Sequence, residues 1–130
     1  MKKNALILMA ALIVLVMSLT ACSSAAVKLD EQHNGQSVGV NSGDRITITL
    51  AGNPTTGYSW ELSEFDAEMV ELVGEPAYDS DSKLLGGGGA YTFTLKTLAP
   101  GTTTLKLVYH RSWETDVEPK KVFEVTLNVK

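Results

Sequence analysis

Cysteine is almost missing from this 130-residue chain, and Cys22 is the only one. A lone cysteine closes no disulfide within the chain, so any domain here must hold together through its core. Histidine is nearly as scarce. Only His33 and His110 occur, and neither sits in a nucleophile–base motif or at metal-ligand spacing. No catalytic site, metal or cofactor is therefore expected. Positive charge is short as well: eleven basic residues face fifteen acidic ones, and two of the eleven are Lys2 and Lys3, so the rest of the chain carries about six net negative charges. That balance argues against nucleic acid or an anionic membrane surface as a partner. No apolar run reaches the roughly 20 residues that a bilayer-spanning helix needs. The longest extends from Ala5 to Leu19, and no internal repeat is visible.

That longest run has a role of its own. Lys2 and Lys3 precede it, and Leu19-Thr20-Ala21-Cys22 closes it with small residues. Residues 1–21 thus read as a signal peptide, to be set aside before any fold reasoning. The ending resembles the bacterial lipobox, which implies cleavage before Cys22 and acylation of its thiol and new amine. Several acyl chains on one residue supply the anchors that stable membrane attachment requires. A plain secretory peptide with a cysteine nearby is the simpler alternative. The lipobox resemblance implies an exported protein held by lipid to a bacterial-type cell membrane. Ser23 favours the outer membrane if the organism has one, by resemblance to the usual sorting rule.

Residues 22–37 are small and polar and read as the lipidated cysteine with a tether and first-strand region. Residues 38–130 read as one domain, in which alternation at period two dominates. Ile46, Ile48 and Leu50 alternate with Arg45, Thr47 and Thr49, and Tyr91, Phe93 and Leu95 follow the same rule. So do Tyr58, Trp60 and Leu62, then Thr103 to Tyr109, then Phe123 to Val129. Runs rich in Thr, Val, Ile and aromatics, bounded by turn residues, predict strands. The expected set lies within 27–40 and near 45–51, 58–62, 69–73, 90–98, 103–109 and 121–129. About seven short strands predict an all-β, immunoglobulin-like β-sandwich.

In such a sandwich the connections 52–57, 74–89 and 110–120 leave from the same end. The first holds Asn53, Pro54, Thr55, Thr56, Gly57 and Tyr58, stiffened by Pro54 and Gly57. The second holds Leu85 followed by Gly86, Gly87, Gly88 and Gly89, a run suited to close approach by another backbone. It lacks the lysine and the following helix of a phosphate-binding loop. The third holds Arg111, Ser112 and Trp113, residue types that suit a binding hot spot. Taken singly, each has a plainer reading: a rigid turn, a flexible linker, a tryptophan folded onto the sandwich end.

Together, Asn-Pro-Thr-Thr-Gly-Tyr, the Leu-Gly-Gly-Gly-Gly run and Arg-Ser-Trp, in that order and spacing, resemble the chagasin-type inhibitors of papain-family cysteine proteases. The resemblance runs from about Val38 to Lys130. It implies that Asn53 to Tyr58 enters the protease cleft beside the catalytic cysteine and histidine, with Thr55 and Thr56 at the tip. It implies that Leu85 to Gly89 runs along one side of the cleft through its backbone, and that Arg111 and Trp113 cover the other. Two departures stand out: Ser112 occupies a position where the family commonly has proline, and Gly87 fills the variable position of the glycine run. The implied protein is a monomeric, reversible, uncleaved inhibitor whose partner is a papain-like cysteine protease. A structural or adhesive immunoglobulin-like lipoprotein domain is the alternative, since the fold alone decides no function.

Overall fold

The alternating runs do become strands, and their apolar faces turn toward one another. The computed structural model describes residues 24–80 and 88–130. Among these residues the strands are β1 (Ala26–Leu29), β2 (Ser37–Val40), β3 (Arg45–Gly52), β4 (Ser59–Glu64) and β5 (Val70–Leu72), then β6 (Ala77–Ser80), β7 (Gly89–Thr97), β8 (Gly101–His110) and β9 (Lys121–Val129). One sheet has the order β1-β3-β7-β5, with β6 also on β7, and the other β2-β9-β8-β4. Ile46, Ile48, Leu50, Phe93 and Leu95 from the first meet Leu105, Leu107, Phe123, Val125 and Leu127 from the second, all buried. The result is the all-β, immunoglobulin-like sandwich expected from the alternation.

Two features differ from the seven-strand expectation. The stretch expected to hold one first strand holds two, and they belong to different sheets. β1 pairs in parallel with β3, from Ala26↔Arg45 to Leu29↔Ile48. A 3-10 turn over Glu31–His33, capped by Asp30, then redirects the chain, and β2 pairs in parallel with β9. Residues 26–29 are therefore part of the sandwich, which the chain enters at Ala26. The second difference is β6, which lies inside the connection expected over 74–89. The edge strand begun at β5 is interrupted around Gly74 (φ 70°) and resumes on the same neighbour as Ala77↔Thr92 to Ser80↔Gly89. All four β6 residues are exposed, so no apolar alternation marks them.

At the end where β1 and β3 begin, a buried carboxylate ties distant segments together. Asp44, 4% exposed, accepts the Ala25 N–H on Oδ1 (3.0 Å) and the Asn41 N–H on Oδ2 (2.8 Å). The buried Thr97 hydroxyl donates to the Asn41 carbonyl (2.7 Å), and Thr97 N–H donates to the Asp44 carbonyl (3.0 Å). Charged acceptors of this kind make stronger hydrogen bonds than neutral ones, and an abandoned buried donor carries a full desolvation penalty. Replacing Asp44 by Ala is expected to remove roughly 2–3 kcal/mol of stability, with Asp44→Asn intermediate because an amide keeps one acceptor oxygen. Chemical denaturation midpoints check this; a loss under about 0.5 kcal/mol for Asp44→Ala would show that the carboxylate is not a support.

Candidate functional site

At the opposite end the strand registers bring the three connections side by side. β3 ends at Gly52, opposite Gly89, which opens β7. β4 opens at Ser59, opposite His110, which closes β8. The segments 53–58, up to 88 and 111–120 thus leave the sandwich together. Leu85, Gly86 and Gly87 lie outside the described residues, as does Cys22.

The first segment is locked by its own side chains. Asn53 caps a 3-10 turn over Pro54–Thr56, with its Oδ1 accepting the Thr55 N–H (3.1 Å) and the Thr55 hydroxyl (2.6 Å). The Thr56 hydroxyl donates to the Asn53 carbonyl (2.7 Å). Gly57 closes the turn at φ 81°, a conformation costly for residues with a Cβ, and its N–H donates to the Pro54 carbonyl (3.0 Å). A Cβ there would also stand 2.6 Å from the Trp113 ring, so glycine is required twice over.

The third segment braces the first. Arg111 Nε donates to the Thr56 carbonyl (3.1 Å), its Nη1 to Glu114 Oε1 (3.1 Å), and its guanidinium lies 4.5 Å from the Tyr58 ring centre. A turn closed by the Glu114 N–H on the Arg111 carbonyl (3.1 Å) puts Ser112 and Trp113 at its tip. Ser112 occupies the second position of that turn, where proline is favoured, which fits the family's usual residue there. Trp113 rests against Gly57 yet stays 66% exposed, an unusual posture for the largest apolar side chain. On the other flank, Gly88 lies so close to β3 that a Cβ would stand 2.6 Å from the Gly52 carbonyl oxygen.

Beneath the loops runs a column of rings. Tyr109 stacks on Tyr58 (5.4 Å between centres) and tilts against Trp60 (5.2 Å). Trp60 donates its indole N–H to the Ala51 carbonyl (2.9 Å). The Tyr109 hydroxyl accepts the Asn53 N–H (2.8 Å), so the core holds the first loop at its root. Burial, with Tyr109 and Tyr78 nearby, pushes the Tyr91 hydroxyl above its usual range, so this phenol below Gly52 stays neutral at ordinary pH. Sequence reasoning singled out Arg111 but not Tyr109. Arg111 is expected to contact a protease, and within the domain its Nε, Nη1 and guanidinium face engage Thr56, Glu114 and Tyr58. Tyr109 looked like any inward strand residue, and only its place at the last inward position of β8 hinted at more. Among the described residues no three His, Cys, Asp or Glu side chains converge as a metal site.

A family model described as the chagasin family peptidase inhibitor I42 matches residues 39–127. The chain belongs to the chagasin family. It is 35% identical to chagasin of Trypanosoma cruzi over 104 residues, spanning 77% of this chain and 94% of that protein. It is 34% identical to amoebiasin-2 of Entamoeba histolytica over 93 residues, 70% of this chain and 75% of the relative. The crystal structure of a cysteine protease inhibitor from Entamoeba histolytica superposes with a TM-score of 0.72 at 27% identity, covering 85% of this chain and all of that one. As a chagasin-family member the protein is a cysteine protease inhibitor, not an enzyme.

For this chagasin-family inhibitor the Tyr109 hydroxyl offers a clean test of loop support. Tyr109→Phe keeps the ring column and removes the hydroxyl's short bond from the Asn53 N–H together with its longer one to the Asn53 carbonyl (3.4 Å), a loss of about 1 kcal/mol, so inhibition of papain should weaken roughly five-fold. Inhibition constants and thermal melts together check it. A lowered melting temperature with unchanged inhibition would limit the hydroxyl to holding the fold.

Proposed function

We propose that the Asn53–Tyr58 turn, the glycine run Leu85–Gly89 and the Arg111–Trp113 turn enter the active-site cleft of a papain-like cysteine protease as one wedge, reversibly and without being cut. The observation that carries this reading is Trp113, left two-thirds exposed at the tip of a turn that two hydrogen bonds between Arg111 and Glu114 close and that Arg111 Nε ties to the central loop at the Thr56 carbonyl. An exposed aromatic on a stiff support loses little freedom on docking, and that is how moderate contact area becomes tight binding.

Resistance to cleavage has a physical basis in the same loop. A peptide bond is cut when its carbonyl is free to be polarised by oxyanion-stabilising donors. In the central turn the Asn53, Pro54 and Thr56 carbonyls are already engaged by the Thr56 hydroxyl, the Gly57 N–H and Arg111 Nε. The backbone there is a 3-10 turn rather than an extended strand. Breaking those bonds to reach a cleavable geometry would have to come out of the binding energy. On the flank, Gly88 and its neighbours present backbone without side chains, suited to strand-like pairing along a cleft wall.

The same reading places the protein outside the cytoplasm, exported by residues 1–21 and held by lipid on Cys22, as a monomer. Its support is the sequence of the first 22 residues alone.

Titration of the soluble chain from Ser24 against papain tests the function. Full inhibition with the inhibitor recovered intact by mass is expected, whereas steady cleavage between Thr55 and Gly57 would make the protein a substrate. Trp113→Ala should weaken binding by roughly 2 kcal/mol, about thirty-fold, while leaving the melting temperature nearly unchanged. A large fall in melting temperature with inhibition intact would place Trp113 in a structural role instead.

A further inference from the structure

The strand directions fix where the chain emerges relative to the inhibitory loops. β3 runs from Arg45 toward Gly52 and the loops, and β1 runs parallel to it from Ala26 beside Arg45. The domain is therefore entered at the end opposite the three loops. It is also entered at a fixed point: Ala25 N–H donates to Asp44 Oδ1 (3.0 Å) and its carbonyl accepts the Arg45 N–H (3.0 Å). Only Ser23 and Ser24 separate that point from Cys22. Three residues of chain reach at most about 10 Å.

Three connections make up the surface at that end. It is built from the turns 41–44 and 98–102, cross-linked by the Ser42 hydroxyl on the Leu98 carbonyl (3.0 Å), and from the connection 65–69, tied to them by the Leu98 N–H on the Met69 carbonyl (2.7 Å). The one ionisable side chain of the two turns is Asp44, which is buried and engaged, whereas the 65–69 connection adds the exposed Asp66 and Glu68. Leu98 is 40% exposed there, followed by Ala99 and Pro100. The basic residues Arg45 and Lys130 flank the turns, while Glu114, Asp116 and Glu118 lie at the loop end. What sets this end against the lipid is the short tether, with the half-exposed Phe65 and Leu98 as apolar contacts for the headgroup layer.

We propose that this end rests on the lipid surface, so that the three inhibitory loops point outward, away from the membrane. The proposal rests on the lipid anchor at Cys22 put forward above. The eight residues of β3 then hold the loops roughly 27 Å above the turns that touch the headgroups. A protease in the surrounding fluid meets the wedge directly, and the anchor needs no long stalk to present it.

Because Cys22 is the only cysteine and carries the lipid, an introduced thiol can be labelled uniquely. Ser42→Cys and Thr55→Cys, each made in the full chain, purified from membranes and labelled with a fluorophore, are placed in phosphatidylcholine vesicles containing a headgroup-quencher lipid. The intact mass is measured first. Acylated protein with strong quenching at position 42, and at most about a tenth of it at position 55, is the expected result. Acylated protein with equal quenching, or more at position 55, overturns the orientation while leaving the anchor intact. A mass without acyl chains overturns the anchor and the orientation with it.

Discussion

Tyr109 belongs to the core and to the loops at once. Its ring is 5% exposed between Tyr58 and Trp60, and its hydroxyl accepts the backbone N–H of Asn53. Everything at the loop end is referred to that contact. Asn53 caps the central turn, the turn carries the Thr56 carbonyl, Arg111 holds that carbonyl, and Arg111 opens the turn that displays Trp113. Strand β8 contributes Tyr109 and ends at His110, and Arg111 follows directly. One strand end therefore supports the first loop from below and clasps it from the side. A loop cluster with no disulfide and no metal among its described residues acquires a defined shape because its root is a packed aromatic column.

The economy of this arrangement lies in using each polar group for shape before any partner arrives. Asn53, Thr55 and Thr56 satisfy one another within four residues, and Arg111 is engaged through two nitrogens and its face. The ordering entropy is met during folding, where burial of the two apolar faces dominates, rather than during association. What remains for a partner is an exposed indole and side-chain-free backbone. Neither requires much rearrangement of the inhibitor.

How much of this could be read from the chain differs from element to element. β3, β7, β8 and β9 were legible because each turns one apolar face inward for three or four successive positions, and the residues that do so are buried as the alternation predicts. β6 was not legible, since Ala77 to Ser80 are all exposed and are held by backbone pairing and the Tyr78 ring on Tyr91 (4.9 Å) rather than by an inward apolar face. The split of β1 from β2 was hidden too, because two four-residue strands with alternating burial look like one run broken by a polar stretch. At the site, the motif residues Asn53 to Tyr58 and Arg111 to Trp113 were legible and do lie together. The work of Arg111, Tyr109 and Asp44 was not, because it depends on partners that are distant in sequence: Thr56, Asn53 and Ala25.

The broken edges of the two sheets carry a consequence for crowded conditions. A β-sheet that ends in a long, flat strand offers unpaired backbone to any neighbouring copy and invites growth from edge to edge. Here β1, β2 and β6 have four residues each and β5 has three. The sheet-switch at Glu31–His33 and the interruption at Gly74 divide what would otherwise be two continuous edges. The longest edge, β4, carries Glu61 and Glu64 and a register shift between Leu62 and Glu64. Among the described residues no edge strand exceeds the six of β4, so the topology leaves only short strips of free backbone for a neighbouring copy to pair with, without a covalent cross-link to enforce it.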